Sequence, residues 1–336
     1  FGERTVVRQV SFSLDAGEKL ALVGESGSGK TVTAMSCLRL IESARLTGSI
    51  RFAGQEVLSM SPAALRQLRG GDIAVIFQEP MTALNPVMTI GRQIIEVLQL
   101  HKGLRAAEAR AAAIAALARV GIEDAARRVD AYPHQLSGGQ RQRAMIAMAL
   151  ACDPKLLIAD EPTTALDVTV RHQILDLLDS LRRERNLGIL LITHDLNLVR
   201  RFADKVAVME QRILVEQGPT AALIADPQHP YSKKLVQSQP RREVAEEGHE
   251  VCLSAEAVSV AYAIRRPGFS GWLKAGRFVA VEAANIEVCR GQTVCIVGES
   301  GSGKTSLALA LLNLTPYSGE IRLGQDGWEQ GGRAHA

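Results

Sequence analysis

Read for apolar spacing, the chain alternates short apolar runs with longer stretches of 3.6-residue period, the pattern of strands interleaved with helices. Val6 to Leu14 alternates apolar with polar residues and predicts a strand, closed by the turn signal Asp15-Ala16-Gly17. Lys19 to Val23, Ile73 to Phe77, Lys155 to Ala159, Gly188 to Thr193 and Lys205 to Val215 are further runs of strand type. Helical periodicity covers Thr89 to Val129, a stretch beginning at Ser137, Val168 to Arg185 and Leu196 to Phe202. Arg105 to Val120 is alanine-rich and has strong intrinsic helix propensity. Strands alternating with helices predict an α/β fold, a mostly parallel sheet with helices on its faces. The helical block from Thr89 to Ala151 is expected to form a separate lobe.

The chain also repeats itself. AGEKLALVGESGSGKT, Ala16 to Thr31, matches RGQTVCIVGESGSGKT, Arg290 to Thr305, with each residue 274 positions later. TGSIRFAGQ, Thr47 to Gln55, matches SGEIRLGQD, Ser318 to Asp326, at about the same offset. Such a period is too long for a solenoid and implies a tandem domain duplication. The expected organisation is a first domain over residues 1–236, a polar, charged linker over 237–250, and the start of a second copy over 251–336.

Composition narrows the class. With 46% hydrophobic and 22% charged residues the 336-residue chain can bury a real core. Its 39 basic and 36 acidic residues give a net charge of +3, too little to support nucleic acid or anionic lipid as the main partner. Five cysteines without a C-x-x-C pair fit buried thiols in a reducing compartment. No run approaches the ~20 apolar residues of a spanning helix, so any membrane role must come through a partner. The sequence starts at Phe1 with neither an initiator methionine nor signal-like regions, and is read as a fragment.

The chemistry centres on GESGSGKT, Gly24 to Thr31, between an apolar strand and a helical pattern. In that setting GxxxxGK[ST] is a phosphate-binding loop whose backbone N–H groups, from Gly24 through Ser26, Gly27, Ser28 and Gly29, turn inward on phosphate oxygens. Lys30 is expected to reach the β and γ phosphates, and Thr31 to place its hydroxyl on Mg²⁺. LLIADE ends an apolar strand in two carboxylates. At the carboxyl edge of a parallel strand, Asp160 can hold Mg²⁺ and Glu161 can polarise the water attacking the γ-phosphate. LSGGQRQR, Leu136 to Arg143, has the Ser137 and Gln140 spacing of a capping box, which alone would mean a well-capped helix. Gly138 and Gly139 in its first turn are poor for helix stability but suit close approach to phosphate.

Taken in order, GESGSGKT, the glutamine of VIFQEP (Gln78), LSGGQ, LLIADEP, ALD (Ala165 to Asp167) and the histidine of LLITHD (His194) resemble an ABC-type ATPase. The resemblance implies a P-loop NTPase with a RecA-like core, an antiparallel β-subdomain and a helical subdomain. It also implies that paired domains sandwich ATP between one P-loop and the other's LSGGQ. On this likeness Gln78 senses Mg²⁺ and the lytic water, Glu161 is the catalytic base and His194 the switch histidine on the γ-phosphate. Asp167 would make the contact across the dimer, Phe1 would stack on adenine, and Ser137, Gly138, Gly139 and Gln140 would meet the partner's ATP. In the second copy Gly298, Gly301, Gly303, Lys304 and Thr305 would take the phosphate and Mg²⁺ roles, with Tyr262 near the base. Without a glutamine loop, LSGGQ, acid pair or histidine after them, they are expected to bind phosphate weakly and not hydrolyse it.

QEPMTALNP, Gln78 to Pro86, and DPQHPYSKKL, Asp226 to Leu235, look like the ATPases of the dipeptide, oligopeptide and nickel importer group. The insert Ala263 to Phe278 is similar to fused tandem members that import glutathione or peptide antibiotics, and the lone Cys252 after the HPY segment argues against the iron–sulfur cluster some members carry. The implied protein is the ATP-hydrolysing subunit of a peptide importer, peripheral on the cytoplasmic face of the inner membrane, with ATP and Mg²⁺ as cofactors. Its implied partners are integral-membrane permease subunits, a second ATPase domain in cis or as a homodimer, and indirectly a solute-binding protein. The alternative is a soluble tandem ATPase acting on ribosomes or nucleic acid. The absence of coiled-coil heptads, zinc-type cysteine pairs and a basic linker stands against it.

Overall fold

The computed structural model describes residues 5–79, 83–163, 168–238, 250–264, 276–298, 301–324 and 326–327. Phe1, Asp167 and most of the expected linker lie outside them. The chain divides between residues 239 and 240 into two compact units.

In the first unit β1 (Lys19–Val23) feeds α1 (Lys30–Ser36), followed by the hairpin of β2 (Arg51–Phe52) and β3 (Gln55–Glu56), then α2 (Pro62–Gln67) and β4 (Ile73–Ile76). A helical segment comes next: α3 (Ile90–Lys102), α4 (Ala106–Arg119), α5 (Ala125–Arg128) and α6 (Gly138–Leu150). The chain then returns through β5 (Leu156–Asp160), α7 (Val168–Arg185), β6 (Gly188–Thr193) and α8 (Leu196–Phe202). It closes with β7 (Lys205–Glu210), β8 (Ile213–Pro219), α9 (Thr220–Ala225) and α10 (Pro230–Gln237). The sheet order is β4-β5-β6-β1-β7-β8, parallel except for β8, which runs antiparallel to β7.

Alternation along each strand sorts the core into layers. Leu20, Leu22, Ile158, Leu190, Ile192, Ala207 and Met209 face α1 and α2 on one side. On the other side Leu157, Ala159, Ile189 and Leu191 meet α3, α4, α6 and α7, while Ala21, Val23, Val206 and Val208 meet Val199, Leu223 and Tyr231. The helical block expected as a separate lobe therefore shares its core with one sheet face. It forms no continuous helix because Gly103 (φ 64°) ends α3 and Gly121 (φ 77°) follows α4. Within α4, Ala109, Ala113 and Leu117 form the buried stripe at four-residue spacing. The strand expected over Lys205 to Val215 is two strands, reversed at Gln211 and Arg212, both with positive φ, the conformation of a tight two-residue hairpin.

Val6 to Leu14 forms no strand, although its alternation holds: Val10, Phe12 and Leu14 pack against the α1 side of the core. The second unit explains why. There the counterpart 274 positions on is β10 (Gly276–Cys289), paired along its length with β9 (Val251–Ile264). Among the described residues Val6 to Leu14 pairs with no strand, though the Arg8 N–H donates to the Arg212 carbonyl at 2.8 Å. In the first unit the expected antiparallel subdomain is reduced to the β2–β3 hairpin beside that stretch.

The second unit orders its sheet β10-β9-β11-β12, with α11 (Lys304–Leu311) packed through Leu307 and Ala310 on Ala255, Val258, Val260 and Ile321. β11 (Ser318–Leu323) and β12 (Asp326–Gly327) pair as a hairpin, as the matching β2 and β3 do. The counterpart of β1, residues 293–297, is not a strand, and Val297 is 83% exposed. In the first unit that strand lies between β6 and β7.

Candidate phosphate site at the carboxyl edge of the sheet

Strand register assembles the site before any side chain is considered. Ile76 lies opposite Ala159, Asp160 opposite Ile192, and Thr193 opposite Val23. The residues that leave these strands, Gln78, Glu161, His194 and Gly24, therefore emerge along one edge, where parallel α/β sheets hold their ligands.

The glycine loop follows β1, and α1 begins at Lys30. Gly29 caps that helix at φ 98°, a conformation L side chains avoid, and an added Cβ would lie 3.1 Å from Val7 Cγ2 and 3.2 Å from the Val6 carbonyl. Lys30 is 7% exposed, and its Nζ donates to the carbonyls of Gly24 and Glu25, each at 2.8 Å. Burial lowers its pKa, against the opposing charges of Glu161 and Asp160. Asp160, 5% exposed, has its pKa raised by burial. The Thr31 hydroxyl and Lys30 oppose that rise and the Glu161 charge adds to it. A buried carboxylate beside a threonine hydroxyl is a hard-oxygen set of the kind Mg²⁺ takes, and the lysine is satisfied by loop oxygens, the Gly24 and Glu25 carbonyls and the Ser28 hydroxyl, that a phosphate can replace.

Glu161 follows β5 with φ 45°, and its N–H donates to the Ile192 carbonyl at 2.9 Å. Its Oε2 accepts from Gln78 Nε2 at 3.2 Å and its Oε1 lies 3.0 Å from His194 Nδ1. Residues from two other strand ends thus converge on the Glu161 carboxylate. His194 is held from behind: Asp195 caps α8 by accepting from the N–H groups of Asn197 and Leu198, and its other oxygen accepts from Arg171 Nη1 at 3.1 Å. The capping aspartate is readable in the sequence, whereas nothing local in it points to Arg171. Nor does any local pattern point to Tyr231, whose hydroxyl accepts from the Glu25 N–H at 2.9 Å.

The LSGGQ segment is not joined to this cluster. Ser137 Oγ accepts from the Gln140 N–H at 3.2 Å and Gln140 Oε1 accepts from the Ser137 N–H at 3.1 Å, so the capping box is formed. It opens α6, which packs on the sheet face opposite α1. A Cβ at Gly138 would meet nothing within 4 Å, whereas one at Gly139 would lie 3.0 Å from Val170 Cγ1.

The second loop repeats the first. Gly298, Gly301 and Gly303 have φ 158°, 87° and 88°, against 151°, 79° and 98° at Gly24, Gly27 and Gly29. A Cβ at Gly303 would strike the Ala280 carbonyl and Val281 Cγ2, the residues 274 beyond Val6 and Val7. Lys304 Nζ donates to the Gly298 carbonyl at 2.8 Å, as Lys30 does to Gly24, but Lys304 and Thr305 are less enclosed than Lys30. The Tyr262 hydroxyl lies 3.1 Å from Ser306 Oγ on α11.

Sheet, glycine loop and edge carboxylates define a P-loop nucleotide-binding α/β domain. The chain belongs to the ABC transporter family, whose model matches residues 7–164 and again 281–335. It is 49% identical over 322 residues to the peptidoglycan transport ATP-binding protein YejF of Agrobacterium fabrum, covering 94% of this chain and 58% of that one. A putative peptide import ATP-binding protein of Brucella abortus is 55% identical over 236 residues, 70% of this chain and 71% of the relative. A dimeric ATP-binding cassette solved in a post-hydrolysis state with ADP and Pi matches at a TM-score of 0.57 and 28% identity. That match covers 64% of this chain and 90% of the cassette. The chain spans about three-fifths of the length of the curated relatives it matches over most of its sequence.

Proposed function

We propose that the protein is the ATP-hydrolysing, energy-coupling subunit of an importer for peptides or peptide-like solutes. The observation that carries the chemistry is the convergence of Gln78 and His194 on Glu161, beside a buried Lys30 and Asp160. In this reading ATP lies with its phosphates against Gly24 to Thr31, and Lys30 exchanges its loop carbonyls for β and γ phosphate oxygens. Glu161 accepts the proton of the water whose oxygen attacks the γ-phosphorus, and the bond to the bridging oxygen breaks to leave ADP and phosphate. His194 orients Glu161 and meets the γ-phosphate, while Gln78 positions the water. Thr31, Asp160 and Gln78 would hold Mg²⁺, which supplies charge neutralisation on the phosphate oxygens.

Ser137, Gly138, Gly139 and Gln140 serve the ATP of a paired domain, a role supported by their place across the sheet from α1 and by the dimeric state of the similar cassette. That partner is a second cassette in the same chain, of which Gly298, Gly301, Gly303, Lys304 and Thr305 form the loop, or another copy of the first unit. Asp167 and Phe1 complete the site at the dimer contact and the adenine. Among the described residues no helix is long and apolar enough to cross a membrane. In this reading the subunit works from the cytoplasmic face of the membrane, docked on permease subunits that receive solute from a binding protein. The peptide assignment rests on the names of the relatives. Glu161→Gln in the full-length protein tests the chemistry: Mg-ATP binding is retained while hydrolysis falls by roughly 10²–10⁴-fold. Undiminished turnover would remove Glu161 from the role of base.

A further inference from the structure

The segment Gln228 to Leu235, which the chemistry above leaves unused, reaches the phosphate loop. Its start is gripped by β8, where Glu216 accepts from the N–H of Gln228 at 2.9 Å and from that of His229 at 3.0 Å. Burial works against the ionised form of Glu216, but the N–H groups of Gln228 and His229 are among the contacts that outweigh it and lower its pKa. The carboxylate is thus charged while it holds the strap. His229 then caps α10 through Nδ1, which accepts from the Tyr231 N–H at 3.2 Å, and Pro230 occupies the first turn. The Tyr231 ring is buried against Val23, Val206 and Val208 on the sheet. Its hydroxyl ends against the loop, accepting from the Glu25 N–H at 2.9 Å on the wall of a cleft of about 430 Å³ shared with Arg8, Glu210 and Arg212.

The same Glu25 residue is held from the other side, where its carbonyl accepts from Lys30 Nζ. A glycine-rich loop has few contacts of its own and loses much conformational freedom when it closes on phosphate. A hydroxyl fixed by a rigid ring, on a helix fixed by a carboxylate, removes part of that freedom beforehand. We propose that Tyr231 is a positioning residue for the phosphate loop, holding the Gly24–Glu25 peptide in its anion-cradling course through a strap anchored at Glu216.

This inference rests on the ATP-binding reading, and the experiment separates the two. Tyr231→Phe keeps the ring in its core and removes only the hydroxyl. One net hydrogen bond predicts an ATP KM and a Kd raised roughly 2- to 10-fold. The kcat at saturating ATP stays within about twofold, and the unfolding temperature of the nucleotide-free protein is nearly unchanged. Glu216→Gln raises KM in the same direction, and the double variant is less than additive because both act through one strap. An unchanged KM in Tyr231→Phe overturns the inference. So does a loss confined to stability and kcat, which is what a merely structural tyrosine would give. Failure of the unsubstituted protein to bind Mg-ATP would overturn the functional reading itself.

Discussion

Glu161 and Asp160 are adjacent carboxylates in opposite circumstances. Glu161 leaves its strand with a left-handed backbone, an arrangement that costs on the order of 1 kcal/mol in a non-glycine residue and turns its side chain toward Gln78 and His194. Asp160, still in the strand, is buried and has its pKa raised chiefly by that burial. A carboxyl whose folded pKa lies above its unfolded value contributes stability at low pH that is lost as pH rises through the folded pKa. At neutral pH nucleotide-free Asp160 is therefore a burden on the fold. Asp160→Asn is expected to raise the unfolding temperature of the nucleotide-free protein and to flatten its pH dependence just above the ordinary aspartate range. It is also expected to weaken Mg-dependent ATP binding about tenfold or more, the loss of one charged ligand. Thermal scans from pH 4 to 7 with and without Mg-ATP check both halves; a lower unfolding temperature without nucleotide would contradict the first.

At the scale of elements, the loop glycines are not equivalent. Gly27 faces open space, so Gly27→Ala should cost only the backbone term of about 1–2 kcal/mol. Gly29→Ala adds contact with Val7 and the Val6 carbonyl, and is expected to cost roughly 1–3 kcal/mol more and to abolish ATP binding. Urea unfolding and ATP titration of the two variants measure the difference. The elements themselves were legible where burial is two-sided. The run Gly188 to Thr193 reads as a strand, and all six residues are buried in β6. Helices α7 and α8 have the bounds their periodicity predicts. Val6 to Leu14 shows the limit: alternation says which face is apolar but cannot supply the neighbouring strand a ladder requires. The site divides in the same way. Gln78, Glu161 and His194 could be read because each follows an apolar run, and parallel register then brings them together. Arg171 and Tyr231 act on partners 24 and 206 residues away, which no local pattern encodes.

For the whole molecule, two units with matching loops offer an internal control. Ligand that binds only the folded state stabilises it by about 2.7 kcal/mol at one hundred times Kd. Mg-ATP is expected to raise the unfolding temperature of the first unit, Lys30→Ala to abolish that shift, and Lys304→Ala to leave it intact. Differential scanning calorimetry of the three proteins decides the matter; a shift lost with Lys304 rather than Lys30 would transfer the working site to the second unit.

The two octapeptides also separate what is local from what is inherited. One rides on the central strand of a complete sheet and the other on a stretch with no ladder, yet their glycines adopt nearly the same dihedrals. The curl is thus portable, written into a few residues that could be grafted ahead of a helix elsewhere and keep their form. What does not travel is the setting of the lysine, buried in the first unit and only half-buried in the second. A graft of the motif alone should reproduce the shape of the cradle and hold anions loosely, because the sequestered charge belongs to the surrounding architecture.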